Sequence, residues 1–112
     1  MKGIFVGTNK EPFAVEFEDT LNNLQALVSG RIEVFTIKTE KSRSIDFIFN
    51  EEYEYLFEEI NRTIICKDGY MIHIKGNIVV VAANEETGEF ESLTEDEINY
   101  YLTFMLDDKL FI

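Results

Sequence analysis

LNNLQALVSGRIEVFTI, residues 21–37, is the stretch that decides the fold. Leu21, Leu24, Leu27 and Val28 recur at the spacing of one helix face. Asp19 or Thr20 stands where an N-cap accepts a hydrogen bond from an orphan backbone N–H. Gly30 stands where a helix ends by turning left-handed, a conformation that costs other residues energy. Ile32, Val34, Phe35 and Ile37 then make a β-rich run. A helix that turns at a glycine straight into a strand must fold back onto a sheet to bury its leucines.

Toward the N-terminus, GIFVG (Gly3 to Gly7) reads as a strand, and Asn9 to Pro12 as a turn. Phe13, Val15 and Phe17 alternate with Ala14, Glu16 and Glu18, the period of a half-buried strand, so the two runs make a hairpin. Toward the C-terminus, Lys38 to Ser44 is a polar segment holding three of the ten bases, an exposed loop or a small phosphate-contacting patch. Ser44 to Phe49 alternates as a further strand. Glu51 to Ile60 fits a helix face through Tyr53, Leu56, Phe57 and Ile60, and fits alternation through Tyr53, Tyr55 and Phe57. A turn followed by a short strand or helical turn is the expectation there.

Asn61 to Asp68 is expected to return along the surface, with a turn at Asp68-Gly69. Ile78 to Ala83, IVVVAA, is an unbroken apolar run, which predicts a central strand covered on both faces. Asn84 to Glu91 reads as an acidic loop bending at Gly88. Thr94 and Glu97 form a capping box for a helix over Thr94 to Asp107, with Ile98, Tyr101, Leu102, Met105 and Leu106 on its apolar face. Leu110 to Ile112 either tucks against the sheet or docks on a second copy.

One domain over 1–112 accommodates this pattern, since 46% apolar residues supply a core and a single proline marks no linker. No apolar run approaches the roughly 20 residues of a membrane helix. MKGIFVGTNK is too short and too soon polar for a signal peptide. The lone Cys66 excludes an internal disulfide and suits a reducing cytoplasm. The net charge of -12 repels nucleic acid and anionic membranes and attracts basic partners, or simply keeps a small protein soluble.

Little catalytic chemistry is visible. Glu85, Glu86, Glu89 and Glu91 crowd one loop but lack the alternating pattern of a calcium loop, so neither a metal site nor a cofactor is expected. His73 is the only histidine; beside a carboxylate in a pocket it would support a small enzyme, but its neighbours Met71, Ile72 and Ile74 suggest a structural strand position. Cys66 after Ile64 and Ile65 reads as a buried, inert thiol. What remains is the acidity: seven acids and no base from Glu85 to Glu97, and five acids and no base from Glu51 to Glu59. Carboxylates along a loop and a helix N-terminus can imitate a row of phosphates. The helix dipole accounts locally for Glu95, Asp96 and Glu97, but not for Glu85 to Glu91.

LQALVSGRIEV at residues 24–34, FNEE at 49–52, INRTI at 60–64 and IKGNIVVVAANEETGEFESLTEDEI at 74–98 together resemble an uncharacterised small domain family of phage, plasmid and other mobile-element proteins, chiefly of Gram-positive bacteria. The Asn61-Arg62 pair and Gly76 are among the more specific positions. The family pattern often has glycine where Ser29 stands, and a less acidic segment at Glu51 to Glu59. The resemblance implies a small accessory protein acting inside a bacterial cell, and carries no catalytic residue with it.

The expected architecture is α+β: a mainly antiparallel sheet of about five strands with two principal helices packed on it. The expected function is non-enzymatic binding to a basic nucleic-acid-binding host protein, such as a restriction or CRISPR nuclease, by nucleic-acid mimicry. Glu85, Glu86, Glu89, Glu91, Glu95 and Asp96 are the expected contacts, with no direct nucleic-acid or membrane partner. A self-associating module, possible as a homodimer through Leu110 to Ile112, and a small enzyme with a carboxylate or His73 site are the alternatives.

Overall fold

The computed structural model describes residues 1–38 and 43–112; most of the loop expected at Lys38 to Ser44 lies outside the described residues. The chain begins with an antiparallel hairpin, β1 (Lys2–Val6) and β2 (Phe13–Glu16), followed by α1 (Leu21–Val28) and β3 (Ile32–Ile37). β4 (Ile45–Asn50), one helical turn α2 (Tyr53–Leu56), and β5 (Ile60–Ile65) come next. β6 (Met71–Lys75), β7 (Ile78–Ala83), β8 (Phe90–Glu91), α3 (Glu95–Phe104) and β9 (Lys109–Phe111) complete it.

The fold is α+β with a mainly antiparallel sheet, as the periodicities predict. Its strand order is β2-β1-β7-β4-β3. β7 sits in the middle: β1 pairs with its first half, β8 takes β1's place along its second half, and β4 lies on the other side. Alternation along β7 splits its side chains between two cores. Val79 and Val81 face α1 together with Ile48, Leu24 and Val28. Ile78, Val80 and Ala82 face the other way, toward Tyr101 of α3 and its cap residue Met105. A second sheet, β6-β5-β9, shares that layer with α3 and adds Ile64, Ile74 and Leu110 to the core. β9 pairs with β5 in parallel, so the C-terminal residues tuck against this smaller sheet.

Residues 61–64 do not return along the surface, whereas Lys67 and Asp68 are exposed ahead of the turn at Asp68-Gly69. Asn61, Arg62, Thr63 and Ile64 are buried in β5. The polar trio suggested solvent, but each of its side chains finds hydrogen-bond partners inside the protein, which is what lets polar groups be buried. Asn61 Nδ2 donates to the Val6 and Gly76 carbonyls, both at 2.8 Å. Arg62 donates from Nε and Nη2 to the Met105 carbonyl, at 2.9 and 2.7 Å. Thr63 Oγ1 lies 2.9 Å from His73 Nδ1 across the strand pair. A bulge between Ile60 and Arg62 takes Asn61 out of the ladder, freeing it to bridge two neighbouring segments. α3 also ends at Phe104, before the expected Asp107; the free carbonyl of its cap residue Met105 accepts from Arg62, and Leu106 beyond the cap is exposed.

The end of α1 differs from expectation by one position. Thr20 is the N-cap, its Oγ1 accepting from Asn23 N at 3.2 Å. At the other end Ser29, not Gly30, is the left-handed residue, with φ 66° and ψ 35°. Gly30 has φ 156°, and a Cβ on it would sit 2.6 Å from Asn50 Nδ2, which holds the Val28 and Ser29 carbonyls. A left-handed backbone costs a residue with a Cβ about 1–2 kcal/mol, partly offset by the extra chain entropy that glycine loses on folding. Ser29→Gly is therefore expected to stabilise the fold by about 0.5–1 kcal/mol. Gly30→Ala is expected to destabilise it by about 1–3 kcal/mol, by displacing Asn50 from the two carbonyls. Urea midpoints at unchanged slope measure both; a Ser29→Gly midpoint at or below wild type would contradict the assignment.

Candidate functional site

The acidic segment is a built structure. β7 leaves the sheet at Ala83, and Asn84 organises the turn that follows. Its Oδ1 accepts from the backbone of Glu86 and Thr87, at 2.9 and 3.1 Å. Its own N and O bond the Glu89 carbonyl and the Gly88 amide. Gly88, at φ 77°, makes the bend. β8 brings the chain back beside β7, Leu93 plugs into the core, and the Thr94–Glu97 capping box starts α3 as predicted.

Arg43, 54 residues before Glu97 in the chain, is the centre of this surface. Its Nη1 donates to Glu91 at 3.1 Å, and its Nη2 to Glu97 at 2.7 Å and to the Ser92 carbonyl at 2.8 Å. Hydrogen bonding to Arg43 holds the Glu97 carboxyl below its ordinary range, against the opposing effect of partial burial. Glu85 is also shifted down, first by the hydroxyl of Ser44 and then by the charge of Lys38, 3.9 Å away. Glu85, Glu86 and Glu91 line a shallow cleft with Arg43. Glu89, Glu95 and Asp96 do not line it. Glu86, Glu89, Glu95 and Asp96 are exposed and have no ion-pair or side-chain hydrogen-bond partner among the described residues. Arg43 was visible in the sequence only as one base in a polar loop; no local spacing links it to Glu91 or Glu97.

The other candidates resolve differently. His73 is exposed on β6, its ring nitrogen against the Thr63 hydroxyl, and no carboxylate pairs with it among the described residues. Cys66 is half-buried against the larger core, less enclosed than expected. No group of three or more His, Cys, Asp or Glu side chains among the described residues is arranged to hold a metal. No described helix is long and apolar enough to cross a membrane. In the C-terminal run Leu110 is buried and Phe111 is 68% exposed.

The Glu97 carboxyl, depressed in the folded state, contributes stability above its ordinary pKa of 4.5 that is lost as pH falls through its lower folded value. Glu97→Gln keeps the capping geometry but removes the charge facing Arg43. The variant is expected to be less stable than wild type at pH 7, with the gap closing as pH falls from the ordinary value of 4.5 through the lower folded one. Denaturant titrations at several pH values measure this; a gap independent of pH would leave the charge without a role.

Comparison with known proteins bears on family only. A domain of unknown function, DUF3846, matches residues 1–105, taking in every element from β1 to α3. No curated protein and no solved structure matches the chain. With the match running from the first hairpin through the capped helix that carries Glu95, Asp96 and Glu97, the chain belongs to the DUF3846 family.

Proposed function

We propose that this chain is a non-enzymatic binding protein of a mobile genetic element, acting in the cytoplasm by docking its acidic face on a cationic host protein. The sharper form of the reading is an inhibitor that occupies the nucleic-acid groove of a host defence nuclease. One observation carries it. Of the seven acids from Glu85 to Glu97, Arg43 and Lys38 take three, and Glu86, Glu89, Glu95 and Asp96 stay exposed, with no ion-pair partner among the described residues, on a turn and a capped helix end. The backbone beneath them is pinned by Asn84, by Gly88 and by the capping box. Charges held on a preformed surface lose little conformational entropy on binding, so their attraction to arginine and lysine is not spent on ordering the loop. The pairing of Glu85, Glu91 and Glu97 with the chain's own cations narrows the contact set to the outer four.

The test is capture from host lysate on immobilised protein, followed by competition with duplex DNA. The captured protein is expected to be basic, to be displaced by DNA, and to be released as salt rises. The combined variant E86Q/E89Q/E95Q/D96N is expected to weaken capture by roughly tenfold, since four rim ion pairs contribute a few tenths of a kcal/mol each. Capture indifferent to salt and to these four substitutions would overturn the reading.

A further inference from the structure

A cleft of about 510 Å³ lies between the β1–β2 turn, β5 and the segment after α3, away from the acidic turn. Its lining is unusual for this chain. Against 22 acids and 10 bases overall, it gathers Lys10, Arg62 and Lys109, with Glu11 and Asp108 as its acids. None of the three cations has an ion-pair partner within 4 Å among the described residues.

Arg62 is the telling one. It is 5% exposed, and its contacts are all to uncharged oxygens: the Met105 carbonyl, the Asn61 carbonyl and the Asn61 side-chain oxygen. Those four contacts satisfy four of the five N–H groups that a guanidinium carries, leaving one hydrogen on Nη2 without a protein acceptor among the described residues. The carbonyl end of α3 offers only a partial negative charge, and Asp108 acts on Arg62 through space, without an ion-pair contact. A buried cation that lacks a full counter-charge is costly, and a wall of a cleft is where a ligand can supply one.

We infer that this cleft is a binding site for a small oxyanion, a phosphate- or carboxylate-bearing molecule, with Arg62 at its base and Lys10 and Lys109 on its walls. Its volume falls in the range of small-molecule sites. Charge-assisted hydrogen bonds from arginine to an oxyanion are short and strong, and the two lysines act as point charges. The inference is independent of the acidic-face reading.

Inorganic phosphate and citrate are the probes, titrated separately at constant ionic strength by calorimetry and followed by amide NMR shifts. One of them is expected to bind saturably, with shifts concentrated at residues 60–63 and 106–109. K10Q/K109Q leaves Arg62 and its hydrogen bonds in place, so it is expected to fold with unchanged melting temperature in the absence of probe and to bind about tenfold more weakly. Stronger binding of phosphate than of citrate assigns the phosphate class, and the reverse order the carboxylate class; either supports the site. Failure of both probes to saturate, shifts spread over the whole surface, or equal binding by K10Q/K109Q would overturn it.

Discussion

The structure depends on a strand that has no solvent face. Every residue of β7 is buried, with Val79 and Val81 on one side and Ile78, Val80 and Ala82 on the other. Such a strand cannot leave a backbone amide or carbonyl unpaired, nor a side chain uncovered. It therefore needs strands at both edges and a layer on each face. β1 and β8 share one edge because neither is long enough alone, and β4 closes the other. The fit is tight enough that a Cβ at Gly3 of β1 would lie 2.5 Å from the Val80 carbonyl oxygen.

The two covering layers are solved differently. α1 covers one face, with Leu24 and Val28 pointed inward and Phe5, Phe17 and Phe90 packed around them. The other face is shared by α3 and the small sheet, two elements whose junction leaves polar ends to satisfy. Asn61 and Arg62 do this. Asn61 ties β5 to β1 and to the turn at Gly76, and Arg62 joins β5 to the end of α3. Burying a cation to close that junction has a cost, and the same residue lines a cleft that also carries Lys10 and Lys109. Stability and binding potential meet in one side chain.

The acidic face follows from where β7 ends. Its exit at Ala83 starts the Asn84 turn, β8 must return to fill the vacant edge, and the capping box sets the direction of α3. Arg43, at the entry to β4, reaches across to Glu91 and Glu97 and binds the three segments together. That neutralises Glu91 and Glu97 and leaves Glu86, Glu89, Glu95 and Asp96 without an ion-pair partner among the described residues.

What the chain declares locally, it declares reliably. Helical spacing in α1, the capping box of α3, alternation in β2 and β4 and the unbroken apolar run of β7 all depend on residues within a turn or two of each other, so the sequence by itself determined the α+β class and the central strand. Tertiary structure alone decided the burial of Asn61, Arg62 and Thr63, the early end of α3, the parallel pairing of β9 and the capture of Glu91 and Glu97 by Arg43. In each case a polar or terminal group is satisfied by a partner from another element, 10 residues away for Thr63 and His73 and 43 for Arg62 and Met105. Whether a polar side chain is solvated or buried depends on whether such a partner arrives, and no local spacing encodes the arrival.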